Sequence, residues 1–194
     1  MSNLVIVLGD QLNVKMSSLL NFNKDTDTVL MSEVKEEATY VKHHKQKIAF
    51  VFSAMRHFSQ VLEKKGYNTL YVKYDAQNNQ GSLFEQIKHT CKDNSYSSIS
   101  IAHPGEYRLL EDVKTWESKL NIPVNITSDN RFIAPQQFFS DWADGRKQYR
   151  MEFFYRELRK KTGVLMEDKQ PRGGKWNYDA DNRKPFGKNP EIPE

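Results

Sequence analysis

Asp10 stands directly after the aliphatic run Leu4-Val-Ile-Val-Leu8 and a single glycine, Gly9. Ser32 and Glu33 close a second apolar run that begins at Thr28, with Glu37 and Tyr40 shortly behind; His103, Gly105 and Glu106 follow a third run, Ser98–Ala102. Runs that are apolar on both faces mark buried parallel strands, and open α/β sheets bind ligands outside the carboxyl ends of such strands. If these runs share one sheet, their polar residues collect along one edge. Carboxylates, a hydroxyl and a phenol around an apolar floor suit an uncharged, polar heterocycle, whose N–H groups and hydroxyls need acceptors. The plainer alternative at Gly9-Asp10 is a turn that only redirects the chain.

Other chemistries lack their residues. The dinucleotide fingerprint G-x-G-x-x-G does not follow the first strand, and no P-loop occurs anywhere. Adjacent histidines such as His43-His44 project about 100° apart on a helix, so they cannot share one ion as an i, i+4 pair does. One imidazole is expected to face the cleft or cap a partner, the other to meet solvent. Ser53 falls inside a predicted helix without a nucleophile elbow, which argues against a serine hydrolase. The single cysteine, Cys91, excludes an intrachain disulfide and cannot alone hold an iron–sulfur cluster or a structural zinc.

The elements that must position the polar edge alternate along the chain. After the first strand, Thr28–Ser32 reads as a second. Ile48, Val51, Met55, Phe58 and Leu62 give helical spacing over a long segment from Tyr40 to Gly66. Strands follow at Asn68–Tyr74, Ser98–Ala102 and Val124–Thr127, separated by helices at Ser82–Lys92 and Glu111–Leu120, with a further helix starting over Pro135–Trp142. Five strands with helical crossovers predict an α/β fold, a doubly wound parallel sheet. Arg150–Lys161 reads as a C-terminal helix, and beyond Gly163 a Pro- and Gly-rich linker carries Trp176, Tyr178 and Phe186 as aromatic anchors.

A chain of 194 residues accommodates one domain, here residues 1–145, plus an extension, residues 146–194, and is expected to stop where a further domain would start. Hydrophobic residues at 38% are ample for a core, while a mean hydropathy of −0.77 requires a very polar surface. No run reaches a membrane span and the start lacks the features of a signal peptide, so the expected location is cytoplasmic, without membrane association. Residues 146–194 hold 13 of the 29 Lys+Arg and 8 of the 25 Asp+Glu, a surplus of +5 that leaves −1 for the rest. That surplus suits a solvated helix face first and a polyanion second.

The blocks Leu8-Gly-Asp-Gln-Leu12, Glu37-Ala-Thr-Tyr40-Val-x-His43-His44-Lys-x-Lys47-Ile-Ala-Phe-Val-Phe-Ser-Ala-Met-Arg-His57-Phe, Pro104-Gly-Glu106, Met151-Glu-Phe-Phe-Tyr-Arg156 and Gly173-Gly-x-Trp176-Asn resemble those of the deoxyribodipyrimidine photolyase-related proteins, the bacterial iron–sulfur cryptochromes and (6-4) photolyases. The resemblance runs from residue 3 to about 186. It implies a Rossmann-like N-terminal domain that binds the antenna pigment 6,7-dimethyl-8-ribityllumazine. It marks Asp10, Glu37, Tyr40 and the neighbourhood of Val51 as positions around that pigment, with Ser32 standing where some relatives have cysteine; Glu106 at the strand edge and His44 at the helix start complete the pigment-binding candidates. FAD, the iron–sulfur cluster and the site for damaged DNA belong, in that family, to a C-terminal helical domain that is the expected partner of this one. The resemblance therefore implies light-driven DNA repair or blue-light sensing for a longer parent and no catalytic residue or metal within 1–194, and it leaves open self-association of a chain whose domain interface is exposed. Two other classes stay open: a nucleotide-binding hydrolase or transferase using Asp10 and Glu106 on a metal, and a DNA-docking module using the basic end.

Overall fold

The computed structural model describes residues 2–179 and 187. Strands β1 (Asn3–Ile6), β2 (Thr28–Ser32), β3 (Thr69–Val72), β4 (Ser98–Ala102) and β5 (Val124–Thr127) pair in parallel in the order β3-β2-β1-β4-β5. Helices α1 (Lys35–Thr39), α2 (Lys45–Lys64), α3 (Leu83–Asp93) and α4 (Tyr107–Leu120) connect them. The chain winds outward from β1 through β2 to β3, then crosses to β4 on the other side of β1. That reversal defines a doubly wound sheet and opens a crevice at the carboxyl ends of its central strands.

Alternation along β1 explains why the sheet is covered twice. Leu4 and Ile6 face a layer made by Ile87 of α3 and Val113 and Trp116 of α4, whereas Val5 and Val7 face Met55, Phe58 and Leu62 of α2. All four β1-run residues are at most 3% exposed. A strand buried on both faces must be apolar throughout, which is the origin of its unbroken run.

Several boundaries differ from expectation for identifiable reasons. The segment from Tyr40 to Gly66 is not one helix: α1 ends at Thr39 with Tyr40 as its cap, and α2 begins only at Lys45. His44 sits in extended backbone (φ −68°, ψ 136°), and its ring Nδ1 accepts the Gln46 N–H at 3.2 Å, doing the work of an Asp or Asn cap. No Gly or Pro marks that break, and α1 buries none of its residues, so it shows no apolar stripe. Helix α4 starts four residues before the expected Glu111 because Leu109 already turns into the core at 7% exposure. β1 is also shorter than its aliphatic run; Val7 continues the pairing with a single N–H to Leu30 carbonyl bond of 3.1 Å.

The chain divides into two compact units at Phe132/Ile133, ahead of the boundary expected after residue 145. Helix α5 (Gln136–Ala143) belongs with α6 (Met151–Thr162) because Phe139 and Trp142 pack on Phe154, with ring centroids 5.3 and 5.0 Å apart. The expected linker is partly structured: β6 (Met166–Glu167) and β7 (Gln170–Pro171) form a small antiparallel hairpin. Arg159, 6% exposed, secures it by donating to the carbonyls of Val164, Leu165 and Trp176. Of the expected anchors, Trp176 stacks against Arg156 and Arg159, Tyr178 donates to the Gly173 carbonyl at 3.1 Å, and Phe186 lies outside the described residues.

Candidate functional site

A cavity of about 550 Å³ opens in the first unit where the sheet reverses, within the size range of small-molecule sites. The ends of β1 and β2, helix α1, the first half of α2 and the β4–α4 loop enclose it. Val7, Val34, Ile48, Val51, Met55 and Leu83 supply its apolar wall. Gly9 is required by close packing: a Cβ there would stand 3.0 Å from Val51 Cγ1 and 3.1 Å from Met55 Sδ. Its backbone is not left-handed, so only the approach of α2 demands the glycine.

The polar groups enter from three sides. Ser32, at the end of β2, is 9% exposed, and its Oγ finds no hydrogen-bond partner among the described residues. Glu37 of α1 and Glu106, the cap of α4, both line the cavity and both bind Arg108. Tyr40 lies under the Arg108 guanidinium, 4.3 Å from ring centroid to Cζ, and meets His43 edge-on at 5.2 Å. Burial works against the charge of Arg108, but the hydrogen bonds to Glu106 and Glu37 more than offset it and raise its pKa.

Of the residues collected by the strand-end argument, Asp10, Ser32, Glu37, Tyr40, Gly105 and Glu106 share one cavity; Val51, marked by the family resemblance, joins them from α2, and His44 does not. Its ring caps α2 and faces solvent, while His43 lines the cavity together with Lys47, 3.4 Å from it. Adjacent residues diverge too widely for both to serve, and the turn before α2 chooses His43. Its position three residues after Tyr40 was the available signal. Asp10 is a rim residue: its side chain is 60% exposed and 3.4 Å from Arg131, which also donates to the Asp10 carbonyl and binds Asp129. The Arg131 hydrogen bond holds the Asp129 carboxyl below its usual range, outweighing the effect of burial.

Glu33 leaves the site altogether. Its fully buried carboxylate accepts from Arg56 Nε (2.5 Å) and Nη2 (2.7 Å), Tyr71 Oη (2.5 Å) and the Tyr74 N–H (2.9 Å). Burial pushes its pKa up, and those donors together pull it below the usual 4.5. Burial and the Glu33 contact raise the Tyr71 phenol in turn. His103 contributes its carbonyl to Gln11 and is not part of the wall. Among the described residues no group of three or more His, Cys, Asp or Glu is arranged to hold a metal ion, and no helix is long and apolar enough to cross a membrane.

The family described as deoxyribodipyrimidine photo-lyase-related protein matches residues 5–194, nearly the full chain. The chain belongs to that family. A (6-4) photolyase of Agrobacterium fabrum is 46% identical to this photolyase-related chain over 185 residues, covering 95% of the chain and 36% of the relative. The chain therefore spans about a third of that relative's length. An uncharacterized protein of Acanthamoeba polyphaga mimivirus is 23% identical over 194 residues, covering 94% of each.

Proposed function

We propose that the first unit of this photolyase-related chain is an antenna domain that seats 6,7-dimethyl-8-ribityllumazine, in the service of light-driven DNA repair or blue-light sensing. The observation that carries this reading is Ser32 Oγ, buried in the cavity wall without a partner among the described residues. A buried hydroxyl left unpaired costs about 1–3 kcal/mol, so a ligand atom is its natural complement. The other donors and acceptors fit the same group. Glu37 and Glu106 offer acceptors for N–H and ribityl hydroxyls, Tyr40 can give or accept, and the aliphatic side chains of Val51 and Ile48 pack on a flat ring.

A lumazine held there would supply near-ultraviolet and blue absorption for the flavin of a longer parent. Everything the chain contributes is holding and orienting. The carboxylates fix ring direction, the apolar wall excludes water, and the Ser32 hydroxyl has no hydrogen-bonded base among the described residues. A hydrolase or transferase of the same fold would need a phosphate-cradling glycine loop, which the β1–β2 connection lacks.

Titration of the lumazine into the protein, followed by absorbance and fluorescence, tests the reading. Saturable one-site binding is expected, with Ser32→Ala weaker by about five-fold, the worth of one hydrogen bond. Ile48→Trp, which puts an indole into the cavity, should abolish binding. No saturation by the wild type, or wild-type affinity in the tryptophan variant, defeats the assignment.

A further inference from the structure

Arg108 is not part of the cavity wall, yet three residues that are, Glu37, Tyr40 and Glu106, all meet it. Its Nη2 donates to both oxygens of Glu37 at 2.9 Å, its Nε donates to Glu106 at 3.0 Å, and its plane covers Tyr40. Glu106 precedes α4 but makes no capping bond to that helix; its carboxylate is turned to Arg108 instead. On the opposite side, α1 has only five residues and buries none of them. Val34 at its entrance, one hydrogen bond from the Glu36 N–H to the Gly81 carbonyl and the Glu37–Arg108 ion pair tie α1 to the body of the unit.

We propose that Arg108, in the first turn of α4, is a clasp: by joining Glu37 of α1 and its cap residue Tyr40 to Glu106 just ahead of α4, it positions three cavity residues and sets how slowly the bound pigment escapes. The proposal rests on the antenna reading for its ligand, but its geometry does not. A carboxylate has about four acceptor positions, so Glu37 can hold Arg108 and a ligand N–H together. Arginine is required because its planar fork binds two carboxylates and stacks on a ring at once, whereas the lysine ammonium is a compact point charge. Since α1 moves as a flap when the clasp opens, the effect falls on dissociation rather than on encounter.

Stopped-flow fluorescence of the lumazine with wild type, Arg108→Lys and Arg108→Gln separates the two rates. The glutamine variant is expected to release the pigment about ten-fold faster with association changed by less than about two-fold, and the lysine variant to fall between. Raising NaCl to about 0.5 M should shrink the difference, because these half-exposed charges are screened. Hydrogen exchange on the ligand-free protein supplies the second readout: the glutamine variant should exchange amides 36–40 faster while its thermal midpoint stays put. If the wild type binds the pigment and the glutamine variant releases it at the wild-type rate, the clasp is overturned and the antenna reading stands. If the wild type binds none, the antenna reading falls, and unchanged exchange at 36–40 overturns the clasp while faster exchange upholds it.

Discussion

Replacing Glu33 by Gln removes the charge from the most enclosed polar group in the first unit while keeping its shape. The carboxylate accepts four hydrogen bonds from Arg56, Tyr71 and Tyr74; a Gln amide keeps one oxygen and turns an NH₂ toward another donor, so at least one charge-assisted bond is lost and one donor stranded. Breaking a fully buried pair costs about 3–5 kcal/mol. Arg56, however, is 47% exposed along its side chain and can turn to water, which lowers the expected loss to about 2–3 kcal/mol. For a chain of this size that is a fall in thermal midpoint of about 5–10 °C. The pH dependence is specific. Because the folded pKa of Glu33 lies below its usual 4.5, its contribution is complete above the unfolded value and is lost as pH falls through the folded one. Urea unfolding followed by circular dichroism should therefore give a full gap between wild type and variant at pH 7 that closes below about pH 4.5. A loss under about 1 kcal/mol at pH 7, or a gap that persists undiminished in acid, refutes the argument that this carboxylate bolts β2, α2 and β3 together.

Gly9→Ala should destabilise the first unit by about 1–3 kcal/mol through the contacts with Val51 and Met55 and weaken pigment binding, and a neutral effect in both chemical unfolding and titration would show that α2 can yield. The Cys91 thiol, pushed up to about 11 by burial, should react with a thiol reagent at pH 8 far more slowly in the native protein than in urea; equal rates would contradict its enclosure. Arg159→Ala should speed proteolytic cleavage between residues 163 and 176, because the three carbonyls that the guanidinium holds are released, and an unchanged digestion pattern would place the order of that hairpin elsewhere.

Strand positions were legible because both-face burial writes itself into one dimension. β2, β4 and β5 begin and end where the apolar runs do, and Asp10, Ser32, Glu37, Tyr40 and Glu106, which follow strand ends, reach one cavity because parallel strands all deliver their carboxyl ends to the same edge. Family membership was legible in part for a related reason, since three of the blocks that carry it, those beginning at Leu8, Glu37 and Pro104, contribute residues to that edge. The miss at His44 came from the unmarked break before α2, where an imidazole rather than an Asp or Asn caps the helix.

What the sequence by itself determined is therefore the sheet, its edge and the types of group gathered there. Tertiary structure alone decided how those groups are used. Glu33 and Glu37 are four residues apart with the same side chain, yet one is locked under Arg56 and Tyr71 and the other opens to the cavity in the grip of Arg108. Their partners come from elements 23 to 71 residues away, and no local pattern encodes which distant donor reaches a carboxylate first. Hydrogen bonding is directional and short-ranged, so that choice is made only when the packed layers bring the donors within about 3 Å.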